Sequence, residues 1–471
     1  MLRRLLDSPG FYFGCAGLLL IIAVATQFEL QIPSRAKGTV DDIVGLRDRD
    51  DLNVIFILVD TLRADRLGIY GYERATSPVM DDLGRHGITF KHVVSQSSWT
   101  KSSMASLWTG TNPTKNGILR YNHTLPPEVV FPAEIFQAAG IRTAGIWRNG
   151  WVAPNFGFEQ GFDTYVKPMS NPTRRKIQST GPSARALKGT DLDAIDSATE
   201  FLSRFRGERF FLYLHLMDIH QYVYDEQAPD FGSSYSDYYD MSVNWTDRVI
   251  GIFLRKVDEL DLLTNTIIVV GSDHGEAFEE HGFEGHARNL YNEVTAVPLI
   301  VILPFVLEKG IEVDATISNV DMWPTLLDMI GLPPMENIDG VSQLPLVLEA
   351  GGASEVPPTD GLRRPIFSQI DRRWGSAKAD SDPLVSVVDE NARVIIPLGS
   401  PEKAEFYDMK TDRREQTNLA ADRADELAPY RALVDEYLAD DQPPWGVPPG
   451  IVELEEMQLN QLKALGYKIE N

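Results

Sequence analysis

The sequence predicts an α/β fold: a central, mostly parallel sheet flanked by helices, with a small C-terminal α+β subdomain after it and an N-terminal membrane segment before it. Three near-continuous apolar runs carry this reading. "NVIFILVD" ends at Asp60, "NTIIVVGSD" ends at Asp273, and "VPLIVILP" spans Val297–Pro304. A strand covered by helices on both faces reads as an unbroken apolar run, the pattern of a parallel central strand. Amphipathic stretches lie between the runs, among them "PEVVFPAEIFQAAG", stopped by Gly140, and "NWTDRVIGIFLRKVDELDLL". Strands alternating with helices place a parallel sheet inside helical layers.

The elements follow in chain order. In residues 1–30, Arg3 and Arg4 precede an uncharged stretch whose apolar heart, Phe11–Phe28, suffices to cross a bilayer. "AVA" at Ala23–Ala25 also offers a small-residue cleavage site. A signal anchor and a cleaved signal peptide both fit, and either puts the rest of the chain outside the cytoplasm, periplasmic or extracellular. Cys15, the one cysteine, lies in this segment, so no intrachain disulfide forms. Residues 31–52 are polar with charges of both signs and read as a linker. A large domain follows over 53–348, with polar loops at 168–188 and 221–242. Residues 349–362, "EAGGASEVPPTDGL", read as a second linker. The C-terminal subdomain, 363–471, combines a small antiparallel sheet, from "PLVSVVDE" and "ARVIIPLG", with a terminal helix, "IVELEEMQLNQLKALGY".

With 43% hydrophobic and 24% charged residues, the 471-residue chain is no disordered polymer. Its net charge of −24 argues against a nucleic-acid partner. An anionic substrate would need a local positive site, such as a metal or a few basic side chains.

In open α/β sheets ligands bind beyond the carboxyl ends of the strands. Asp60 and Asp273 sit at such ends and His274 follows directly. Two carboxylates and an imidazole make a plausible divalent metal site. The stretch "SSWTKSSMASLWTG", Ser97–Gly110, begins just after the strand-like "GITFKHVVSQS". Its Thr100 hydroxyl is a candidate fourth ligand, and coordination would make it an alkoxide nucleophile near neutral pH. The amides of residues 101–103, opening a helix, suit an anion. Individually these features are also ordinary caps and turns; their order and context give them weight.

"NVIFILVDTLRADRLGIYGY", "SSWTKSSMASLWTG", "GIRTAGIWRNGWVAPNFGFEQGFDTY", "FLYLHLMDIHQYV", "TIIVVGSDHGEAFEEHG" and "GHARNLYNEVTAVPLIV" occur in that order. With "NVDMWPTLLDMIGLP", "DGVSQLPLV" and "EFYDMKTDRREQTNLA" they resemble the sulfatase-like branch of the alkaline phosphatase superfamily, from Asn53 to Tyr467. The resemblance implies an alkaline-phosphatase-like sheet. It implies that Asp60 is the first metal carboxylate and that Asp273 and His274 are the later ligand pair. Thr61 stands where many sulfatases carry a second metal Asp. A His where calcium-type sulfatases have Asn favours manganese or zinc, with calcium or magnesium still open. His220 resembles the His that contacts the bound anion or leaving group, His286 a second active-site His, and Arg148 an anion-binding Lys.

The departure is at the nucleophile. Thr100 occupies the position that sulfatases fill with a Cys or Ser convertible to formylglycine; Ser102 and Met104 replace the motif Pro and Arg. Lys101 is the candidate for the missing positive charge. Thr is not a known precursor of formylglycine and would instead form a phosphothreonine-like adduct, as in the similar phosphoethanolamine and glycerophosphate transferases of bacterial envelopes. The expected protein is therefore a metal-dependent hydrolase of a phosphate monoester or diester, working through Thr100. A sulfuric ester hydrolase, an envelope transferase and a non-catalytic binding module stay open. The expected partners are an anionic ester, such as an envelope lipid or glycan, and the membrane through the N-terminal segment. His215 reads equally as a satisfied core residue, and Asp218 as either a support for His220 or a ligand of a second metal.

Overall fold

Alternate residues of the first apolar run enter two different cores. In the computed structural model, strand β1 is Asn53–Val59; Val54, Phe56 and Leu58 pack into one buried cluster and Ile55, Ile57 and Val59 into another. Successive side chains of a strand point to opposite faces, so both faces of the sheet are covered. The structure describes residues 35–169, 178–179, 189–371, 382–455, 459–460 and 462. The N-terminal membrane segment, most of the 168–188 loop and most of the C-terminal helix lie outside the described residues. No helix among the described residues is long and apolar enough to cross a membrane.

The main sheet adds β2 (Ile88–Val94), β3 (Arg142–Ile146), β4 (Thr164–Val166), β5 (Phe210–Leu216), β6 (Thr266–Gly271), β7 (Ala296–Ile302) and β8 (Ile311–Ser318). Their spatial order is β8-β2-β7-β6-β1-β5-β3-β4. Neighbours are parallel except around β7, which is antiparallel to both β6 and β2. The third apolar run was expected to be parallel like the first two. It is as buried as they are, and burial on both faces gives the same sequence pattern in either direction. After β6 the chain stays at one end of the sheet through residues 272–295 and then returns down it as β7.

Two other expectations change. Residues 37–52 are no tether: Lys37–Gly38 pairs with Val306–Leu307, and Ile43, Leu46 and Leu52 are buried in the main core. The last eight residues of the 221–242 loop are helix. Tyr235–Glu259 begins there, with the Ser234 hydroxyl accepting from the Asp237 amide and the Asp237 carboxylate accepting from Ser234. That reciprocal pair is a capping box, and it overrides a Tyr- and Asp-rich composition.

The C-terminal sheet is antiparallel: β9 (Ile366–Ile370), β10 (Leu384–Asp389), β11 (Ala392–Pro397) and β12 (Glu405–Asp408), in that order. Helix Leu427–Ala439 packs on it through Leu427, Val434 and Tyr437.

Candidate active site and metal centre

β1 and β6 are adjacent and parallel, so their carboxyl ends deliver Asp60 and Asp273 to one place. The chain turns sharply after each. Thr61 has φ of 61°, a left-handed conformation that strains a β-branched residue. Its hydroxyl bonds to the Asp60 carbonyl at 2.6 Å, its amide donates to Asp273 Oδ1 at 3.3 Å, and its carbonyl accepts from Tyr239 at 2.7 Å. Thr61 thus holds the turn and sends no ligand inward. Tyr222 and Ala287, beside His220 and His286, are also left-handed, with φ of 51° and 61°. Backbone strain of this kind gathers at functional sites.

Asp60, Asp273 and His274 each offer a ligand atom within 4.8 Å of the others, and all three are fully buried. The Gly275 carbonyl can only accept, so His274 Nδ1, 2.9 Å away, carries the proton and Nε2 presents its lone pair. Asp60 Oδ1 and Asp273 Oδ2 are buried without a hydrogen-bond partner. Two buried carboxylates with orphaned oxygens beside an imidazole lone pair form a donor set that fits a divalent cation. Burial and the neighbouring Asp60 push the Asp273 carboxyl up. Burial works the same way on Asp60, but the hydrogen bond from His215, with the His220 and His274 rings close by, outweighs it and holds that group low.

Thr100 opens the helix Thr100–Thr109, every residue of which is buried. Its Oγ1 lies 3.0 Å from His274 Nε2. The hydroxyls around it have structural work: Ser95 and Ser103 both donate to the Asp273 carbonyl, at 2.5 and 2.6 Å, tying the helix start to the turn at Asp273. Gly275 is required because a Cβ there would sit 2.1 Å from the Glu293 carbonyl, where the segment following His274 meets the returning chain.

His220 and His286 join the cluster. The His286 ring centroid is 4.6 Å from that of His274 and 5.0 Å from that of His220. Glu276 Oε1 is 3.0 Å from His286 Nδ1. Burial disfavours charge on both rings, but the Glu276 carboxylate raises His286, while His220 falls to about 4. The two neighbouring imidazoles are thus shifted in opposite directions.

Lys101 and Arg148 are not brought into the cluster. Lys101 follows Thr100 round the helix, and its Nζ donates to the Tyr121 carbonyl at 2.7 Å and lies 3.4 Å from the Phe156 ring centroid. Burial pushes its amine well below the usual range. Arg148 bonds instead to Asp191, to Asp218 Oδ1 at 2.6 Å and to the Gly189 carbonyl at 2.8 Å. Asp218 is part of this knot; its Oδ2 accepts from the Asp191 amide and Trp245 Nε1, at 3.0 and 2.8 Å.

Sequence reasoning missed Asn149 and underrated His215. Asn149 Nδ2 donates to Asp60 Oδ2 at 2.6 Å and stands 3.5 Å from Thr100 Oγ1; its own Oδ1 accepts from the Trp151 amide at 2.9 Å, which fixes the amide's orientation. His215 Nε2 lies 3.1 Å from the same Asp60 oxygen. The available signal was position: in the all-buried strand β5, Tyr213 and His215 share a face, and buried polar groups need partners.

A sheet that presents a buried hydroxyl among carboxylates and imidazoles at its strand ends has the layout of an ester-hydrolysing enzyme. The model of the Sulfatase family matches residues 52–332, and the chain belongs to that family. A second family model, N-sulphoglucosamine sulphohydrolase, C-terminal, matches residues 279–436. Arylsulfatase K of Gallus gallus is 24% identical over 431 residues, 78% of this chain and 79% of that one. Among solved structures, the phosphonate monoester hydrolase of Agrobacterium radiobacter superposes with a TM-score of 0.63 at 18% identity, over 82% of this chain and 95% of that one. A protein solved with its substrate D-glucosamine-2-N,6-O-disulfate gives 0.63 at 19% identity, over 83% and 97%. The protein is a sulfatase-family hydrolase of ester bonds.

Proposed function

We propose that this enzyme hydrolyses an anionic, phosphate-type ester through a covalent intermediate on Thr100. The observation that carries the reading is the place of Thr100: an unconvertible hydroxyl at the start of a buried helix, 3.0 Å from His274 Nε2 and beside Asp60 and Asp273. Asp60, Asp273 and His274 would hold a divalent cation, with Thr100 alongside. When bound, the cation supplies positive charge that favours the ionised hydroxyl and draws electrons from the ester.

The chain's own groups do the rest. Thr100 Oγ1 attacks phosphorus; its bond to phosphorus forms as the bond to the leaving oxygen breaks. The Asn149 amide faces the charge that gathers on Oγ1. His220 receives the Thr100 proton, and His286, supported by Glu276, gives one to the leaving oxygen. In the second step water attacks phosphorus, His286 recovers a proton from it, and His220 returns its proton to Thr100 as the covalent bond breaks.

The test is to load the full chain separately with manganese, zinc or calcium and compare nitrophenyl phosphate monoester, phosphodiester and sulfate. Thr100→Ala is expected to lower phosphoester turnover at least about 1000-fold with thermal unfolding unchanged. A phosphoryl adduct on Thr100 should be visible by mass spectrometry after an acid quench. Full activity in Thr100→Ala would remove the nucleophile from this reading. A sulfuric ester is the second reading, favoured by the sulfatase relatives; sulfate release without phosphoester turnover would select it.

A further inference from the structure

We infer that Tyr213, His215 and Asn149 are positioning residues for the metal carboxylate Asp60: together they hold one of its oxygens so that the other stays free for the cation. This rests on the reading of Asp60, Asp273 and His274 as a metal centre.

The geometry is one-sided. Both donors converge on Oδ2, Asn149 Nδ2 at 2.6 Å and His215 Nε2 at 3.1 Å, while Oδ1 is buried with no partner. A carboxylate that served only to stitch the fold together would share its donors between its oxygens, because an orphaned buried acceptor is costly. Asp273 repeats the asymmetry, with the Thr61 amide on Oδ1 and no hydrogen-bond donor on Oδ2, which instead faces His274 Nε2 at 3.4 Å across the proposed cation site.

Each donor is aimed from behind. The Asn149 amide cannot flip without losing the bond from the Trp151 amide to its Oδ1. His215 must carry its proton on Nε2 to donate to Asp60, which requires an acceptor role at Nδ1. Tyr213 OH stands 2.8 Å from that Nδ1 and supplies the proton. Its ring is locked by packing: its centroid is 5.0 Å from that of Trp108 and 5.8 Å from that of Phe56. Tyr213 and His215 therefore form a relay that runs from the aromatic core to the carboxylate. Partners behind a metal ligand fix its orientation, and their loss typically lowers metal affinity about 10–100-fold.

The experiment is calorimetric titration of Mn2+, Zn2+ and Ca2+ into the full-length protein and its variants, without substrate, alongside near-UV circular dichroism. His215→Leu and Asn149→Leu are expected to weaken the tightest-binding cation about 10–100-fold. His215→Gln, whose amide reaches the same oxygen, should recover most of the loss. Tyr213→Phe keeps the ring and removes the relay, and should weaken binding by about 10-fold, the low end of such support effects. If His215→Leu does not fold, the Tyr213→Phe and His215→Gln pair decides. Folded variants that bind within twofold of the wild type overturn the inference alone. A wild-type protein that binds none of the three cations overturns the metal-centre reading, and the inference with it.

Discussion

On one side of the candidate site, Asn149 and His220 hang from a buried ionic knot; on the other, Glu276 and His286 sit on a loop pinned to the C-terminal sheet. In the knot, Arg148 bridges Asp191 and Asp218, both side chains fully buried, and the two carboxylates exchange backbone bonds across it. Burial and the nearby Asp218 push Asp191 up, against the pull of Arg148. On the loop side, Arg393 of β11 donates to the Leu290 carbonyl at 3.0 Å and pairs with Glu415 at 3.2 Å, and Glu415 accepts from the Asn292 amide at 2.7 Å. His281 completes the pin, with Nδ1 2.9 Å from Glu293 and Nε2 2.9 Å from the Glu415 carbonyl. The first support lies within the catalytic sheet and its helices. The second crosses to a separate sheet, so it can fail without the main core failing.

The largest expected effect tests that difference. Arg148→Met leaves two buried carboxylates without their cation and should cost about 3–5 kcal/mol, the range for removing one partner of a buried ion pair. Arg393→Met should sit at or below the bottom of that range. Glu415 and Asp191 are both raised by burial to about 7 and can each take up a proton, but Arg148 also serves a second buried carboxylate, Asp218, whereas Arg393 pairs with Glu415. Hydrogen exchange should separate the two: Arg148→Met accelerates it in 149–153 and 217–223, and Arg393→Met in 276–295 only. Equal losses with the same exchange pattern would mean that the two supports are one.

The comparison also marks what the sequence could disclose. Asp60, Asp273, His274 and Thr100 were legible because each stands at an element boundary and the elements show in the apolar pattern. The direction of β7 was not, since two-sided burial looks alike either way. Lys101 and Arg148 were misplaced for another reason. Residue type gives charge but not rotamer, and a long cation beside a site can be held by carbonyls, rings or carboxylates from segments remote in sequence, as Tyr121, Phe156, Asp191 and Asp218 hold these two. Asn149 was hidden in the same way: its role depends on Asp60, 89 positions away.

A titration should sharpen the loop side. His281 is raised from 6.5 to about 9: burial opposes its charge, but Glu293 and the Glu415 carbonyl outweigh burial. A folded value above the unfolded one means that the stabilisation is complete below pH 6.5 and is lost as pH rises through 9. The expected loss is about 1–3 kcal/mol for a ring that keeps some solvent contact. Between pH 7.5 and 9.5, above the values of Glu415 and Asp191, thermal stability should fall in the wild type and stay flatter in His281→Gln. The same slope in both would take His281 out of the pin.

Tyr291→Phe gives the smallest effect and the finest distinction. The Tyr291 ring stacks on His281 at 3.8 Å between centroids, and its hydroxyl donates to Glu405 Oε2 of β12 at 2.8 Å. The substitution keeps the stack and removes that bond to the second sheet. Glu405 still accepts from Tyr407 at 2.7 Å, so no buried charge is stranded and the cost should be about 1 kcal/mol. If the loop is held chiefly by Arg393, Glu415 and His281, catalysis will survive this change and only the melting temperature will move. A kcat that falls as far as in Arg393→Met would instead mean that the C-terminal sheet steers the loop through its edge strand, and that the tyrosine hydroxyl belongs to the support of His286.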